Sequence, residues 1–590
     1  AHSPSEIAGE FYVEVTAAGG RDQAEIEKYT RDEIYKLCAS LVQPEEIERV
    51  KNHLEWQRSR QMAAVGGFAG RANRLNSFNV FAGDPGVINS DIERYLQVQP
   101  EDLMRVANRY LVGSEVKMVV LPSASRSRSV VSLDRSTFPA PAAIKPFSPP
   151  TPKRQKLQNG LDLLVVEKPG TSAVAFGLIT GSGARYDPVE LPGLASFTTA
   201  MLQEGTAALS SLEIAEAFEF MGTNLSLSTG RERTTIATES LARHFPRALE
   251  LVSDLVCSPT FPEEELTRLR TERLTGLRRM KDDPVSLAAR VYPSLLYGRK
   301  SSYGHPVSGT DDSLNVITRQ DLHGHFKKFF DPRGSALLVV GDVTIGDVAD
   351  LAEKTIGKWT NEGSYATDLN DTVSKNDLGT HVIHLLDKPG AAQSVIRVGR
   401  LGVPRNHEDY FPLIMVNHLF GGQFTARLNA NLRQDKGYSY GYNSSIEWNK
   451  TSSLLVAGGA VQTEVKAEAV IETFKEFEDI GNKRPITREE FDLTKAAMLR
   501  HLPSSFESPS HMLDQLAQIV NFGLPDSYYS ELTSNIEKVS LEDAQRVANN
   551  RFSGEGLIML VVGDAKVIEP NLKEIGVPIV AVDHEGRTLV

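Results

Sequence analysis

The chain of 590 residues has 41% apolar and 24% charged side chains, ordinary values for a globular protein that exclude disordered and low-complexity classes. Its 76 acidic and 64 basic residues give a net charge of −12, which excludes a general nucleic-acid-binding protein because such proteins present a basic surface. Two cysteines, Cys38 and Cys257, are too few for a disulfide framework or a cysteine-based zinc site. No stretch approaches the roughly 18 apolar residues that a membrane-spanning helix requires.

The first predicted elements are a strand at Phe11–Ala18 and a long helix at Gln23–Leu41. A second helix is predicted to open at Pro44, because two glutamates follow in its first turn and complement the helix dipole. Similar acidic helix starts occur at Pro262 and at Thr487, which indicates a repeated unit. Each unit is predicted to contain strands followed by a layer of helices, an α+β arrangement.

The clearest repeat is an eleven-residue segment near the end of each unit. Val98–Asn108 and Val539–Asn549 are identical at seven of eleven positions, and a weaker third copy begins at Ile317. In two copies a serine or threonine precedes an aspartate by three residues, which is the spacing of a helix capping box. An apolar run of strand length follows every copy, at 116–121, 336–340 and 557–562.

Two linkers are predicted from composition, one rich in proline and serine at 123–146 and a polar one at 360–379. They separate predicted domains at 1–122, 147–359 and 380–590, of which the first resembles only the second part of a unit. The middle domain is predicted to open with a β-hairpin, because Asn159-Gly160 lies between two apolar runs.

The segment Gly193–Thr206, which follows Gly181–Pro188, resembles the zinc-binding helix of the pitrilysin/insulinase family of zinc metallopeptidases. In that family an H-x-x-E-H helix presents two histidines on one face as zinc ligands, and the glutamate between them activates a water molecule. The resemblance implies an α+β fold of repeated domains, each a mixed sheet with a helix layer, of the mitochondrial-processing-peptidase/insulinase type.

Every functional position of that motif is substituted in this sequence. Ser196 and Ala200 occupy the histidine positions, Thr199 occupies the general-base position, and Gly276 occupies the position of the distal glutamate ligand. Hydroxyl groups bind zinc weakly, and alanine and glycine offer no donor atom in a side chain. We therefore expect a degenerate zinc domain that binds no metal.

The resemblance also points to a second pair of residues. In this family the degenerate half contributes an arginine and a tyrosine that reach the zinc half, and the matching positions here are Arg433 and Tyr440, after a glycine-rich turn. A guanidinium and a phenol are suitable donors to a developing oxyanion. Without the family pattern, Arg433 is a surface helix residue and Tyr440 a core-facing strand residue, with Tyr438 and Tyr442 on the same strand face. That alternative remains open from the sequence.

The resemblance implies a function and a set of partners. We expect the non-zinc portion of a two-half zinc endopeptidase that acts on unfolded peptides, inactive alone and with zinc only in the complete enzyme. The expected partners are a peptide substrate and a zinc-bearing N-terminal half, on the same or a separate polypeptide, with no nucleic acid and no membrane span. The alternatives are an inactive structural subunit and a non-catalytic peptide-binding module. Exported bacterial members favour the periplasm, and the cytoplasm is the alternative.

Overall fold

The computed structural model describes residues 2–3, 9–15, 23–66, 70–113, 116–118, 147–361, 382–554 and 556–589. The chain divides into two compact units: the first contains residues 1–145 with 217–223, and the second contains 146–216 with 224–590. The predicted linker at 123–146 lies outside the described residues, as does 362–379 of the second linker. Within the described ranges, no helix is both long and apolar enough to cross a membrane.

The first unit is a series of helices preceded by a two-stranded ribbon. Its elements are β1 (His2–Ser3), β2 (Glu10–Phe11), α1 (Gln23–Ala39), α2 (Pro44–Ala63), α3 (Arg71–Ala82), α4 (Asp91–Leu96) and α5 (Pro100–Tyr110). Helix α1 contacts α5, and α2 contacts both α3 and α4. Trp56 and Ile88 are buried, but many large apolar side chains of this unit are exposed.

In their described residues, the two strands expected in the first unit are mostly irregular. Only Phe11 of the predicted strand at 11–18 belongs to β2; residues 12–15 are irregular, and 16–18 lie outside the described part. Residues 116–118 of the second predicted strand are also irregular, and 119–121 are not described. A strand needs a neighbouring strand for its backbone hydrogen bonds, and the described residues before Glu10 supply only His2–Ser3.

The second unit begins with a six-stranded sheet and its helices, of which the helix at Ser211–Phe220 has its residues 217–220 in the first unit. Its elements are β3 (Lys153–Lys156), β4 (Asp162–Glu167), β5 (Ala173–Thr180), α6 (Leu194–Met201), α7 (Ser211–Phe220), β6 (Ser226–Thr229), β7 (Thr234–Leu241), α8 (Phe245–Cys257), α9 (Glu263–Asp282), α10 (Pro284–Tyr297), α11 (Asp311–Val316), α12 (Arg319–Phe329), β8 (Ala336–Gly341) and α13 (Ile345–Lys354). The strand order is β3-β4-β8-β5-β7-β6, with only β4 and β8 parallel. The predicted hairpin is confirmed: β3 and β4 are antiparallel, and Gly160 has the positive φ of 89° that the turn requires.

A second six-stranded sheet follows with nearly the same plan. Its elements are β9 (Ile383–Asp387), β10 (Gln393–Leu401), α14 (Tyr410–Phe420), α15 (Arg427–Asn429), β11 (Asn443–Glu447), β12 (Leu454–Gln462), α16 (Lys466–Gly481), α17 (Arg488–His501), α18 (Pro509–Phe522), α19 (Tyr528–Lys538), α20 (Leu541–Arg551), β13 (Ile558–Gly563), α21 (Ala565–Lys573) and β14 (Ile579–Val582). The strand order is β11-β12-β10-β13-β9-β14, with β9 parallel to both β13 and β14. These mixed sheets with helix layers confirm the α+β class.

The helices repeat three times in the same order. The series α1–α5, α8–α12 and α16–α20 each contain five helices, and the last helix of each series has 11 residues. Both predicted capping boxes are present: the Thr318 and Ser540 side chains accept from the amides of Asp321 and Asp543. The sequence repeat therefore corresponds to a repeat of structure.

The third helix of each complete series covers the sheet of the other series. Helix α10 packs on β10 and β13 of the second sheet, where the Tyr292 hydroxyl donates to the Ile558 carbonyl at 2.8 Å. Helix α18 packs on β5 and β8 of the first sheet, with Leu513 close to Gly177. The equivalent helix of the first unit, α3, has no buried residue. Its Val80 and Phe81 are 62% and 71% exposed.

Candidate functional site

Helix α6, which carries the degenerate motif, is held at its start by a buried carboxylate. Asp187 accepts hydrogen bonds of 2.7 Å from the backbone amides of Gly193 and Ala195. Burial raises the Asp187 pKa to about 7 against the opposing effect of these bonds. Gly193 has a φ of 92°, and a Cβ there would lie 2.5 Å from the Cα of Gly309. The glycine is therefore required by both conformation and space.

Ser196 and Ala200 lie one turn apart on the same half-buried face of α6, whereas Thr199 points into the protein. The Thr199 hydroxyl donates to the Ala195 carbonyl at 2.8 Å, accepts from the Thr229 hydroxyl at 2.8 Å and is 2% exposed. A satisfied, buried hydroxyl of this kind cannot act as the general base for water. The position has become part of the polar core.

The guanidinium of Arg273, from α9, lies against the first lost histidine position. Its two terminal nitrogens donate to the Ser196 hydroxyl at 3.1 Å and to the Ser196 carbonyl at 2.7 Å. The guanidinium carbon lies 4.8 Å from the centre of the Phe197 ring. Burial lowers the Arg273 pKa to about 10, so the group keeps its charge at neutral pH. A fixed cation therefore lies where the family motif places a metal ligand.

The residues present do not fit zinc. Gly276 is exposed, with no atom within 4 Å of a Cβ built on it, so the third ligand position has space but no donor. Ser196 is already bonded to a cation, and Ala200 has only a methyl group. Across the ranges that the structure describes, no three His, Cys, Asp or Glu side chains are grouped so as to hold a metal ion.

Arg433 and Tyr440, the two predicted site residues, lie on either side of a loop in the part of the chain that carries the second sheet. Backbone hydrogen bonds join the two ends of this loop. Arg433 lies in a π-helical turn, Ala430–Asp435, and its guanidinium carbon is 4.2 Å from the centre of the Phe424 ring. The Leu432 carbonyl accepts hydrogen bonds from the amides of Tyr438 and Ser439, which brings the segment before Tyr440 back to the helix that carries Arg433. Tyr440 is 66% exposed.

The expectation that Tyr438, Tyr440 and Tyr442 share one strand face is wrong. Residues 436–442 form an irregular turn, and β11 begins only at Asn443. Tyr442 is 1% exposed and its hydroxyl accepts from Thr473 at 2.7 Å, whereas Tyr440 is exposed. The backbone over 438–442 is irregular rather than an extended strand, so the two-residue period does not align these side chains.

The glycine-rich turn before this segment is a point of close backbone approach. A Cβ on Gly421 would lie 2.5 Å from the amide nitrogen of Ser444, which donates to the Gly421 carbonyl. After the turn, Arg427 is buried and forms a two-pronged ion pair with Glu490 at 2.8 and 2.7 Å. These contacts fix the turn relative to the strand that follows Tyr440.

Arg273 was not predicted as a site residue from the sequence. Its signal was present, because Arg273 lies three residues before Gly276 on the same helix and therefore faces the same side. The contact with Ser196 joins positions 77 residues apart and follows only from the packing of α9 on α6.

Two sequence models of one protein family match the chain. The model described as Insulinase (Peptidase family M16) matches residues 163–297, and the model described as Peptidase M16 inactive domain matches residues 317–498. Together they span more than half of the chain. The chain belongs to the insulinase family, peptidase family M16.

Relatives of this M16 chain include an "Uncharacterized zinc protease YmxG" of Bacillus subtilis, 26% identical over 412 residues, which are 69% of this chain and 98% of the relative. A peptidase M16 inactive domain from Pseudomonas fluorescens has a TM-score of 0.64 and 23% identity over 70% of this chain and 98% of its own. A chain of complex III2 from Candida albicans has a TM-score of 0.60 and 16% identity over 72% of this chain and 99% of its own. At these identities the two structures show a shared fold.

Proposed function

We propose that this chain is the zinc-free portion of a two-half M16 metalloendopeptidase that encloses and cleaves unfolded peptides. The observation that carries the proposal is the contrast between Tyr440, which is exposed, and Tyr442, which is buried. The division into domains at 1–122, 147–359 and 380–590, with linkers at 123–146 and 360–379, belongs to the same proposal.

Arg433 and Tyr440 would act as hydrogen-bond donors to the oxyanion that forms when water attacks the peptide carbonyl. The contacts of Arg433 support this role: its guanidinium packs on the Phe424 ring and forms no ion pair with the residues that the structure describes. A donor fixed in place before reaction costs no reorganisation in the transition state. The zinc that activates the water would be held by the other half.

The first unit supports the requirement for a second half. In the C-terminal series, Ala544 and Val547 of α20 are 1% and 0% exposed, because that helix packs into its own domain. The equivalent Leu103 and Val106 of α5 are 39% and 41% exposed. Helix α3, whose counterparts α10 and α18 cover a sheet, has no buried residue at all. Apolar stripes of this kind fit the face of another mixed sheet of the same family.

The test is reconstitution with a zinc-bearing M16 half. We expect the chain alone to bind no stoichiometric zinc and to cleave no unfolded fluorogenic peptide, because positions 196, 199, 200 and 276 supply no ligand set. Addition of the zinc-bearing half should produce cleavage that chelation abolishes. Cleavage by the chain alone, or a half that is equally active without it, would reject the proposal.

A second candidate is a structural subunit without catalysis. The observation that favours it is the fold shared with a chain of complex III2 from Candida albicans. Such a subunit needs no donor pair, so Tyr440→Phe and Arg433→Ala would leave the behaviour of its assembly unchanged. The reconstitution assay with these two variants separates the two functions.

A further inference from the structure

Among the described residues Arg273 has no carboxylate partner, unlike Arg268 on the same helix. Arg268, on the same helix, forms ion pairs with Glu204, Glu265 and Glu272. Among the described residues, Arg273 donates hydrogen bonds only to Ser196, and no carboxylate oxygen lies within 4.0 Å of its guanidinium. Its positive charge is therefore largely buried without a negative partner.

A charge in this position has a cost that a ligand could remove. Removing a cation from water is unfavourable unless an anion or several hydrogen bonds compensate for the lost hydration. A guanidinium has five N–H donors, and Ser196 accepts from two of the Arg273 nitrogens. The remaining donors are available to an acceptor that approaches from the side away from α6.

Space for such an acceptor lies next to the guanidinium. A cavity of about 710 Å³, open to solvent, lies along α9 and is lined by residues of that helix alone, among them Thr271, Arg273, Gly276 and Arg279. Gly276 leaves this side of Arg273 open, since no atom lies within 4 Å of the position of its absent Cβ. Arg279, two turns further along, adds a second cation to the same wall.

We propose that the degenerate zinc site is a carboxylate-binding subsite in which Arg273 binds an acidic group of the enclosed peptide. The proposal rests on the peptide-binding function proposed above and names what the degenerate half recognises. The planar guanidinium can bind both oxygens of a carboxylate, either a Glu or Asp side chain or the C-terminal carboxylate of the peptide. A position that binds a cation in zinc-bearing relatives thus binds an anion here.

The charge state of the site suits this role. The Arg273 pKa of about 10 keeps the guanidinium charged throughout the neutral range, although burial acts against it. Glu272 acts on Arg273 only at longer range and is itself 3.3 Å from the Arg268 guanidinium. The protein therefore does not neutralise Arg273 with its own acidic side chain.

The test uses one labelled unfolded peptide in three forms, and the dissociation constant for the full chain is measured by fluorescence anisotropy. The reference form has one internal glutamate and an amidated C-terminus, the second replaces that glutamate with glutamine, and the third has glutamine with a free C-terminal carboxylate. We expect either carboxylate form to bind about 10- to 100-fold tighter than the neutral form, the range for hydrogen bonds to charged groups. The two acidic forms separate the two sources of carboxylate.

Variants on α9 test whether Arg273 is the residue that binds the carboxylate. Arg273→Gln should remove the preference for the acidic forms and leave the affinity for the neutral form unchanged. Arg278→Gln removes the same charge from an exposed position outside the cavity lining and should keep the preference. If Arg273→Gln weakens the acidic and neutral forms equally, the proposal is wrong.

A second variant tests the proposal even if Arg273→Gln does not fold. Gly276→Glu places a carboxylate one turn from Arg273 in open space, where it should pair with the guanidinium and abolish the preference for acidic peptides. Gly276→Gln is its neutral match in size and should keep the preference. Equal binding of all three peptides by the unaltered chain would overturn the subsite alone, whereas no binding of any peptide would overturn the peptide-binding function.

Discussion

Single side chains at the degenerate site now perform structural tasks that differ from metal binding. Arg273 joins α9 to α6 through Ser196, and Thr199 is absorbed into a cluster of buried hydroxyl groups that includes Thr229. These contacts satisfy polar groups that would otherwise be buried without partners. Reversal to a zinc site therefore requires more than replacement of the lost ligands.

We predict that Ser196→His, Ala200→His and Gly276→Glu together will not bind stoichiometric zinc unless Arg273 is also replaced. The guanidinium would pair with the introduced carboxylate and would repel a dication nearby. Addition of Arg273→Leu should allow zinc to bind, measured as metal content after dialysis against a weak chelator. Stoichiometric zinc in the variant that retains Arg273 would contradict this account of the site.

Tyr440→Phe in the reconstituted enzyme should lower kcat by about 10²–10³, the usual effect of losing one oxyanion donor, with little change in KM or thermal stability. Tyr438→Phe is the control and should be nearly silent. Tyr442→Phe should behave in the opposite way, with normal kcat and a free energy of unfolding about 1 kcal/mol lower, because it removes a buried hydrogen bond to Thr473.

Arg433→Ala should lower kcat to a similar extent as Tyr440→Phe. Arg433→Lys should restore little of the rate, because an ammonium group cannot reproduce the planar fork of donors. Steady-state kinetics of the two Arg433 variants tests this. Full activity in Arg433→Ala would show that Arg433 does not stabilise the oxyanion, and Tyr440 would then be the remaining donor of the proposed pair.

At the scale of elements, equivalent positions in the last helix of each series differ in how far they are exposed to solvent. The equivalent positions Val106 of α5, His325 of α12 and Val547 of α20 are 41%, 4% and 0% exposed. In α12 the position therefore buries an imidazole, which lies 4.8 Å from the Phe329 ring. Burial lowers the His325 pKa to about 3, so the imidazole is neutral at pH 7.

The buried His325 should make the free energy of unfolding fall as pH decreases. Between pH 6.5 and about 3 the unfolded chain binds a proton that the folded chain does not, so stability is lost by at most about 1.4 kcal/mol per pH unit. His325→Leu should remove this part of the slope in urea titrations at pH 7.5, 6 and 5. His323→Gln, at a half-buried position of α12, should keep it. Equal slopes in His325→Leu and the unaltered chain would disprove the assignment.

At the scale of the whole molecule, α10 and α18 join the parts that carry the two six-stranded sheets into one unit. Each helix leaves its own series and covers the other sheet, so apolar residues of both parts form a shared core. In the described part of the first unit, α3 has no sheet to cover. In the proposed function, α3 would cover a sheet of the zinc-bearing half as α10 and α18 each cover the other sheet.

Val106→Glu should leave the free energy of unfolding of the chain within about 0.5 kcal/mol, because the side chain is already exposed. The same substitution should prevent association with a zinc-bearing half, since a charge would be buried in the apolar contact. Urea unfolding and sedimentation of the mixture measure the two effects. Val547→Glu, at the equivalent buried position, should unfold the C-terminal domain. Undiminished association of Val106→Glu would show that α5 does not face the partner.

Much of the local structure follows from short-range patterns in the sequence. Neighbouring residues alone predict several features that the structure contains. These are the capping boxes at Thr318 and Ser540, the hairpin at Asn159-Gly160, and the long helices after Pro44 and Pro262. The lost zinc ligands could also be read from four positions, because a missing donor atom is a property of the residue itself.

Long-range packing accounts for what the sequence could not predict. The strand at 11–18 was expected from its apolar residues, but a strand forms only beside a partner, and its described part pairs only with His2–Ser3. Tyr440 and Tyr442 share a sequence period, yet in the irregular segment 436–442 one is exposed and the other is buried. Arg273 meets Ser196 because two helices cross, and no spacing along the chain encodes that meeting. Residue types therefore specify which chemistry is lost, while the approach of distant segments decides which contacts replace it.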